Sequence, residues 1–164
     1  MYYCHYNSPV GRLLLACSQN ALTGLWIEGQ KYFGSTLTEN AEENENYPVL
    51  IKTKAWLDRY FEGKKPDITE LTLSPIGTDF RLKVWKLLCK IPYGEVATYQ
   101  KIAEQLSETD NKQKVSPRAV GNAVGHNPIM IVIPCHRVVG KNGSLTGYSA
   151  GTDIKQKLLK FEIK

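Results

Sequence analysis

The run Ser116-Pro117-Arg118-Ala119-Val120-Gly121-Asn122-Ala123-Val124-Gly125-His126 decides how the second half of the chain folds. Serine is a good helix cap, and proline directly after it suits the first helical position, where no backbone N–H is needed. The pair predicts a helix that opens at Pro117 and runs to about His126. Val120 and Val124 form its apolar stripe, Arg118, Ala119, Asn122 and Ala123 lie on the adjoining face, and Gly121 and Gly125 sit behind. Each glycine costs a helix about 1 kcal/mol relative to alanine, so something should require a slim helix here. A second helix packed closely against it is one such reason. A nucleic-acid groove is another, with Arg118 as the single long side chain on the approaching face.

Upstream, Thr98 can cap a helix that turns Ile102, Ala103 and Leu106 inward, and a polar stretch from Ser107 to Val115 follows. Before that, Thr78 or Asp79 can cap a helix with Phe80, Val84, Leu87, Leu88 and Ile91 on one face, ended by Pro92-Tyr93-Gly94. Two short helices joined in this way make a helix-turn-helix; the connection exceeds the usual 3–4 residues, which a winged-helix variant tolerates. Lys64 to Ser74, with Pro66 inside and Pro75 after, is the expected linker. The first half alternates short runs, Tyr2 to Tyr6, Arg12 to Cys17 and Leu22 to Ile27, with turn residues, and then places Leu50, Leu57 and Phe61 at helical spacing within Val49 to Phe61. Glu39 to Asn46 is a polar, acidic connection. The expected organisation is α+β: a small supporting module over residues 1–74, and a mostly helical, winged-helix-like domain over 75–164.

At 164 residues and 42% hydrophobic content, the chain can bury a core without disulfides. No run approaches the roughly 20 apolar residues of a membrane helix, and Met1-Tyr2-Tyr3-Cys4-His5 lacks the order of a signal peptide. A cytoplasmic monomer with no membrane contact is expected. The net charge of +5 is unevenly placed: residues 1–74 carry −2 and residues 75–164 carry +7. That asymmetry points to a polyanion contact in the second half, although surface lysines falling there by chance would look the same.

After the helix, Asn127-Pro128 breaks the chain, Ile129 to Ile133 reads as a buried strand, and Pro134-Cys135-His136-Arg137-Val138-Val139-Gly140 follows. A cysteine followed by His and Arg sits where positive charge could favour its thiolate. An inert buried thiol is the other reading of the same residue. The spacing of Cys4, Cys17, Cys89 and Cys135 is not that of a zinc ribbon. Cys4, His5 and Cys17 could supply three metal ligands but have no evident fourth, so neither a metal nor a cofactor is expected.

Ile133-Pro134-Cys135-His136-Arg137-Val138-Val139, with Asn127-Pro128 before it and Gly147-Tyr148-Ser149 after, resembles the active-site signature of the O6-alkylguanine-DNA alkyltransferases. The resemblance extends through Phe80 to Leu88, Gly94 to Tyr99 and Arg118-Ala119-Val120-Gly121, and more faintly to Ser8-Pro9-Val10-Gly11 and Ala55-Trp56-Leu57. It implies a ribonuclease-H-like first module and irreversible, single-turnover transfer of an alkyl group from O6-alkylguanine in double-stranded DNA to Cys135, with O4-methylthymine a poorer substrate. By the same resemblance His136 is a base acting through water, and Glu162 orients and charges it. Tyr99 donates toward the guanine ring and crowds a neighbouring phosphate. Tyr148 and Ser149 close the pocket, and a carbonyl at Val138 accepts from the exocyclic amine. Asn127 ties helix to active-site segment, and Arg118, Ala119 and Ala123 enter the minor groove while Arg118 fills the space of the flipped base. A minor groove about 6 Å wide explains a slim helix.

Met130 and Ala150-Gly151-Thr152 depart from the usual pattern and bear on tolerance for larger alkyl groups. Two other classes stay open. A non-reacting binder of alkylated bases would lack the acceptor cysteine, which is present here. A cysteine hydrolase on Cys135, His136 and Glu162 would need an oxyanion-hole loop, and nothing resembling one is found.

Overall fold

The computed structural model describes residues 1–109, 113–145 and 147–163. It is an α+β structure whose backbone gathers into two compact units, Met1–Ile76 with Pro128–Val132, and Gly77–Asn127 with Ile133–Lys164.

In the first unit, β1 (Tyr2–Ser8), β2 (Gly11–Ser18) and β3 (Ala21–Ile27) form antiparallel hairpins, with Cys4 opposite Leu15 and Leu14 opposite Trp26. The acidic connection contributes β4 (Glu42–Glu43), which pairs parallel to β1 and completes the order β3-β2-β1-β4. Leu13 to Cys17 are all buried, so the middle of β2 is covered on both faces. Helix α1 (Pro48–Phe61) turns Leu50, Thr53, Trp56, Leu57 and Tyr60 inward and leaves Ile51 half exposed. Cys4 and Cys17 are buried free thiols, while His5 follows Cys4 on the opposite face of its strand. Among the described residues no group of three His, Cys, Asp or Glu side chains could hold a metal ion.

Two segments differ from expectation. The Lys64–Ser74 linker contains a 3-10 turn, Ile68–Glu70, closed by a reciprocal capping box between Asp67 and Glu70, and Arg59 grips Glu70 at 2.6 and 3.2 Å. Leu73 then bridges to Leu22. Local side-chain hydrogen bonds thus order a stretch whose proline suggested only a tether. The apolar run 129–133 is no regular strand either. Ile129 makes one parallel bridge to Leu25, Met130 donates its N–H to the Leu25 carbonyl, and Ile131 has φ +69°. That is an unusual conformation for a β-branched residue.

In the second unit, Thr78 caps α2 (Asp79–Leu88), Thr98 accepts from the Lys101 N–H at the start of α3 (Tyr99–Thr109), and Ser116 caps α4 (Pro117–Gly125). The polar stretch from Ser107 to Val115 lies partly outside the described residues. Strands β5 (Ala97–Thr98) and β6 (Val138–Val139) pair in parallel, and α5 (Thr152–Ile163) completes the unit. The residue that locks α2 to α4 is Trp85, 1% exposed, whose indole Nε1–H donates to the Ala123 carbonyl at 2.8 Å. No helix among the described residues is long and apolar enough to cross a membrane.

Trp85→Phe should lower the stability of the second unit by roughly 1–3 kcal/mol, through a lost buried hydrogen bond and a small void. Urea unfolding followed by far-UV circular dichroism would check this; an unchanged midpoint would contradict the assigned role.

Candidate active site

The segment that carries Cys135 is set by its two ends. Asn127, 2% exposed at the C-terminal end of α4, donates its side-chain amide to the Ile133 carbonyl at 2.9 Å and so pins the chain just before the cysteine. Cys135–Arg137 then form a single 3-10 turn rather than extended chain, and Val138 enters β6. With three residues per turn, successive side chains still diverge. Cys135 and His136 therefore point to different neighbours.

His136 is fully buried, and its Nε2 lies 2.5 Å from Glu162 Oε2 on α5. Glu162 Oε1 accepts from Arg137 Nε–H at 2.7 Å and from the Gly94 N–H at 3.4 Å. Arg137 donates from Nη1 to the Ile91 carbonyl at 2.7 Å, and its guanidinium lies 5.6 Å from the Tyr93 ring centre. Tyr93 donates its hydroxyl to the Phe161 carbonyl at 3.1 Å. Gly94 has φ +82°, and a Cβ there would stand 3.2 Å from the Glu162 carbonyl. The Pro92-Tyr93-Gly94 turn therefore comes close to α5 because residue 94 has no side chain.

Burial alone would raise the Glu162 pKa, but hydrogen bonds from His136 and Arg137 and the charge of Arg137 outweigh it and lower the carboxyl to about 2. Burial pulls the His136 pKa down against the opposing pull of Glu162, so the imidazole is neutral. A neutral ring that donates from Nε2 keeps a lone pair on Nδ1, and Nδ1 is buried with no hydrogen-bond partner among the described residues. The dyad is thus a base aimed away from Glu162.

Cys135 is 1% exposed. Burial pushes its thiol up to about 11, against hydrogen bonds from Asn127 and Tyr148 and the positive charge of Lys155. This reverses the expectation of a resting thiolate, because Arg137 is committed to Glu162 and desolvation wins. Tyr99 opens α3 with its hydroxyl raised to about 12 by burial and by the charge of Cys135. Beside it, Thr98, Tyr99, Gln100, Pro117 and the 140–142 segment line a cleft of about 580 Å³. Tyr148 is 8% exposed, Ser149 follows it in a turn, and Gly147 has φ +87° within reach of the Tyr99 hydroxyl.

Helix α4 exposes Arg118 and Asn122 and half-exposes Ala119, Gly121 and Gly125. Ala123 is a correction: it is 1% exposed and faces inward beside the carbonyl that Trp85 engages, so its methyl is no part of an outer face. Neither glycine is demanded by internal packing. A Cβ at Gly121 would make ordinary contact with Tyr99 at 3.8 Å, and one at Gly125 would meet nothing within 4 Å.

Residues 79–164 match the 6-O-methylguanine DNA methyltransferase DNA binding domain, and residues 1–75 match the ribonuclease-like domain of the same family. The chain belongs to the 6-O-methylguanine DNA methyltransferase family. A methylated-DNA–protein-cysteine methyltransferase of Methanosarcina barkeri is 44% identical over 99% of this chain and 97% of its own length. One from Haemophilus influenzae is 39% identical over 99% and 86%. A crystal structure of Mycobacterium tuberculosis OGT in complex with DNA superposes with a TM-score of 0.84 at 38% identity, covering 99% of this chain and 93% of that one.

Sequence reasoning about this family member missed α5 as a helix, and with it Lys155, which is fully buried two turns before Glu162 on the same face of that helix. Leu158 and Leu159 after Thr152-Asp153 carried that signal. It also missed Arg137 as the second partner of Glu162.

Glu162→Gln should destabilise the protein by about 3 kcal/mol at neutral pH by leaving Arg137 short of a buried counter-charge. A carboxyl whose folded pKa is depressed contributes stability that is present above its ordinary value near 4.3 and lost as pH falls through about 2. The gap between wild type and variant, read from urea midpoints, should be level from pH 7 to 5 and close towards pH 2. A gap independent of pH would contradict the ionised assignment.

Proposed function

We propose that this protein repairs DNA by moving the methyl group of O6-methylguanine, and more slowly that of O4-methylthymine, onto its own Cys135, once per molecule. The observation that carries the reading is the buried Cys135 thiol in the same turn as a neutral His136 that Glu162 locks from behind, with Asn127 pinning the chain just before the sulfur. A water bridging Cys135 Sγ and His136 Nδ1 passes the thiol proton on to the imidazole. The sulfur bonds the methyl carbon, the carbon–O6 bond breaks, and its electron pair stays on guanine, which receives the proton. Tyr99, with its hydroxyl protonated to high pH, supplies the donor where guanine becomes negative. Tyr148 and Ser149 close over the O6 edge. The Val138 carbonyl is available to the exocyclic amine through its second lone pair, since the first already accepts from Lys155 Nζ.

A base inside a duplex cannot reach a thiol that is 1% exposed, so the nucleotide has to rotate out. Helix α4 is the part suited to the minor groove. Its outer face is Arg118, Ala119 and Asn122 with two glycines that internal packing does not require. Arg118 fills the vacated stack. Every side chain invoked belongs to the second unit, so the reaction needs one chain and works as a monomer. Residues 1–74 act as support. The four cysteines are free thiols, which suits the reducing cytoplasm.

Methylated duplex incubated with the protein should add one methyl per chain, mapped by peptide mass to Cys135; label on Cys4, Cys17 or Cys89 instead would overturn the reading. Arg118→Ala should slow transfer from duplex by about tenfold or more, a factor of ten for each 1.4 kcal/mol of lost support for the flipped state. Its Cys135 should react with iodoacetamide as in wild type. Equal loss in both assays would mean that Arg118 serves the fold and not the DNA.

A further inference from the structure

Lys155 is an ammonium with 0% exposure, a placement lysine almost never takes unless paired. Among the described residues it makes one hydrogen bond, donating from Nζ to the Val138 carbonyl at 2.5 Å, and no salt bridge. The rings of Tyr99 and Tyr148 flank it, each with its centre 5.8 Å from Nζ. The hydrogen bond ties α5 to β6 and fixes where the charge stands.

The charges around it can be assigned in turn. Glu162, two helical turns further along α5, is matched by Arg137 and hydrogen-bonded to a neutral His136. Tyr99 and Tyr148 are uncharged phenols. Asn127 is neutral. Among the described residues the remaining titratable group on which the Lys155 charge acts is Cys135, three residues before the carbonyl that holds Nζ, and the two act on each other: the lysine's charge favours the thiolate, and the thiolate favours the ammonium. Burial opposes both ions separately, pushing the thiol up to about 11 and the lysine down to about 8. With the thiolate formed, the site holds two cations and two anions, and each charge has a partner.

We infer that Lys155 is the counter-cation of the reacting sulfur, fixed on the Val138 carbonyl so that the Cys135 thiolate becomes attainable inside the protein. This rests on the proposed role of Cys135 as alkyl acceptor. Lys155 acts through Cys135 and is a positioning residue. Its own protons stay on nitrogen throughout; the proton that leaves sulfur travels by His136 and ends on guanine.

The test compares wild type, Lys155→Met and Lys155→Arg at pH 7.5, reading the rate of Cys135 alkylation by iodoacetamide from the mass of its peptide and methyl transfer from O6-methylguanine duplex. In Lys155→Met alkylation should slow at least about tenfold, the loss of thiolate that one pH unit corresponds to, and transfer should slow by a similar factor. Affinity for undamaged duplex should be unchanged, and Lys155→Arg should retain the wild-type alkylation rate. An unchanged alkylation rate in folded Lys155→Met overturns the inference. If that variant does not fold, carbon-13-labelled lysine NMR of the wild type decides. The Lys155 titration midpoint should fall once Cys135 is methylated and can no longer become an anion, and a midpoint that stays in place overturns the pairing. Methyl from the duplex failing to reach wild-type Cys135 would defeat the proposed function instead, and the iodoacetamide rates would still report on Lys155.

Discussion

Glu162 is a carboxylate held at 1% side-chain exposure by two consecutive residues of one short turn, His136 on one oxygen and Arg137 on the other. A lone carboxylate could not be buried so deeply without shedding its charge; three donors from α5's neighbours make the ionised form the stable one. Much of the site's order follows from that clamp. It anchors the C-terminal helix on the Cys135–Arg137 turn, selects the histidine tautomer whose lone pair points away from the carboxylate, and draws Arg137 away from the sulfur. Arg137 looks from sequence like the activator of Cys135, but in the structure it neutralises Glu162. The positive charge that does face the sulfur comes from Lys155, two helical turns before Glu162 on α5.

What could be read from the sequence follows from how local each signal is. Thr78, Thr98 and Ser116 each satisfy backbone N–H groups within three residues, so α2, α3 and α4 were legible with their starting points. The hairpins of the first unit were legible for the same reason. Trp85 was not, because its meaning lies in a carbonyl 38 residues away. The partners of Glu162 are 25 and 26 residues distant and that of Lys155 is 17 residues distant, so only a family resemblance could single out Glu162, and nothing singled out Lys155. The run 129–133 misled because unbroken apolar residues describe burial equally well in a strand or an irregular buried segment. Ala123 misled because a small residue reads the same whether it faces a groove or a tryptophan.

The two glycines of α4 illustrate how coordinates can narrow a sequence ambiguity. From sequence, close packing against another helix was the commoner explanation and close approach to an outside surface the alternative. Open space beside Gly125 and only ordinary contact beside Gly121 remove the internal explanation. The helix is thin on a side where the molecule itself places no obstacle. Together with the net +7 carried by residues 75–164, this supports the minor-groove contact proposed for α4.

The depth of Cys135 bears on how such a protein lasts in a cell. A nucleophile used only once has to survive until its lesion arrives, amid peroxides and stray electrophiles that attack thiolates wherever they are exposed. At 1% exposure and with its proton held up to about pH 11 in the absence of DNA, Cys135 is shielded twice, by access and by protonation. The same desolvation that makes the sulfur hard to ionise thus guards the proposed acceptor against reacting with anything but its lesion.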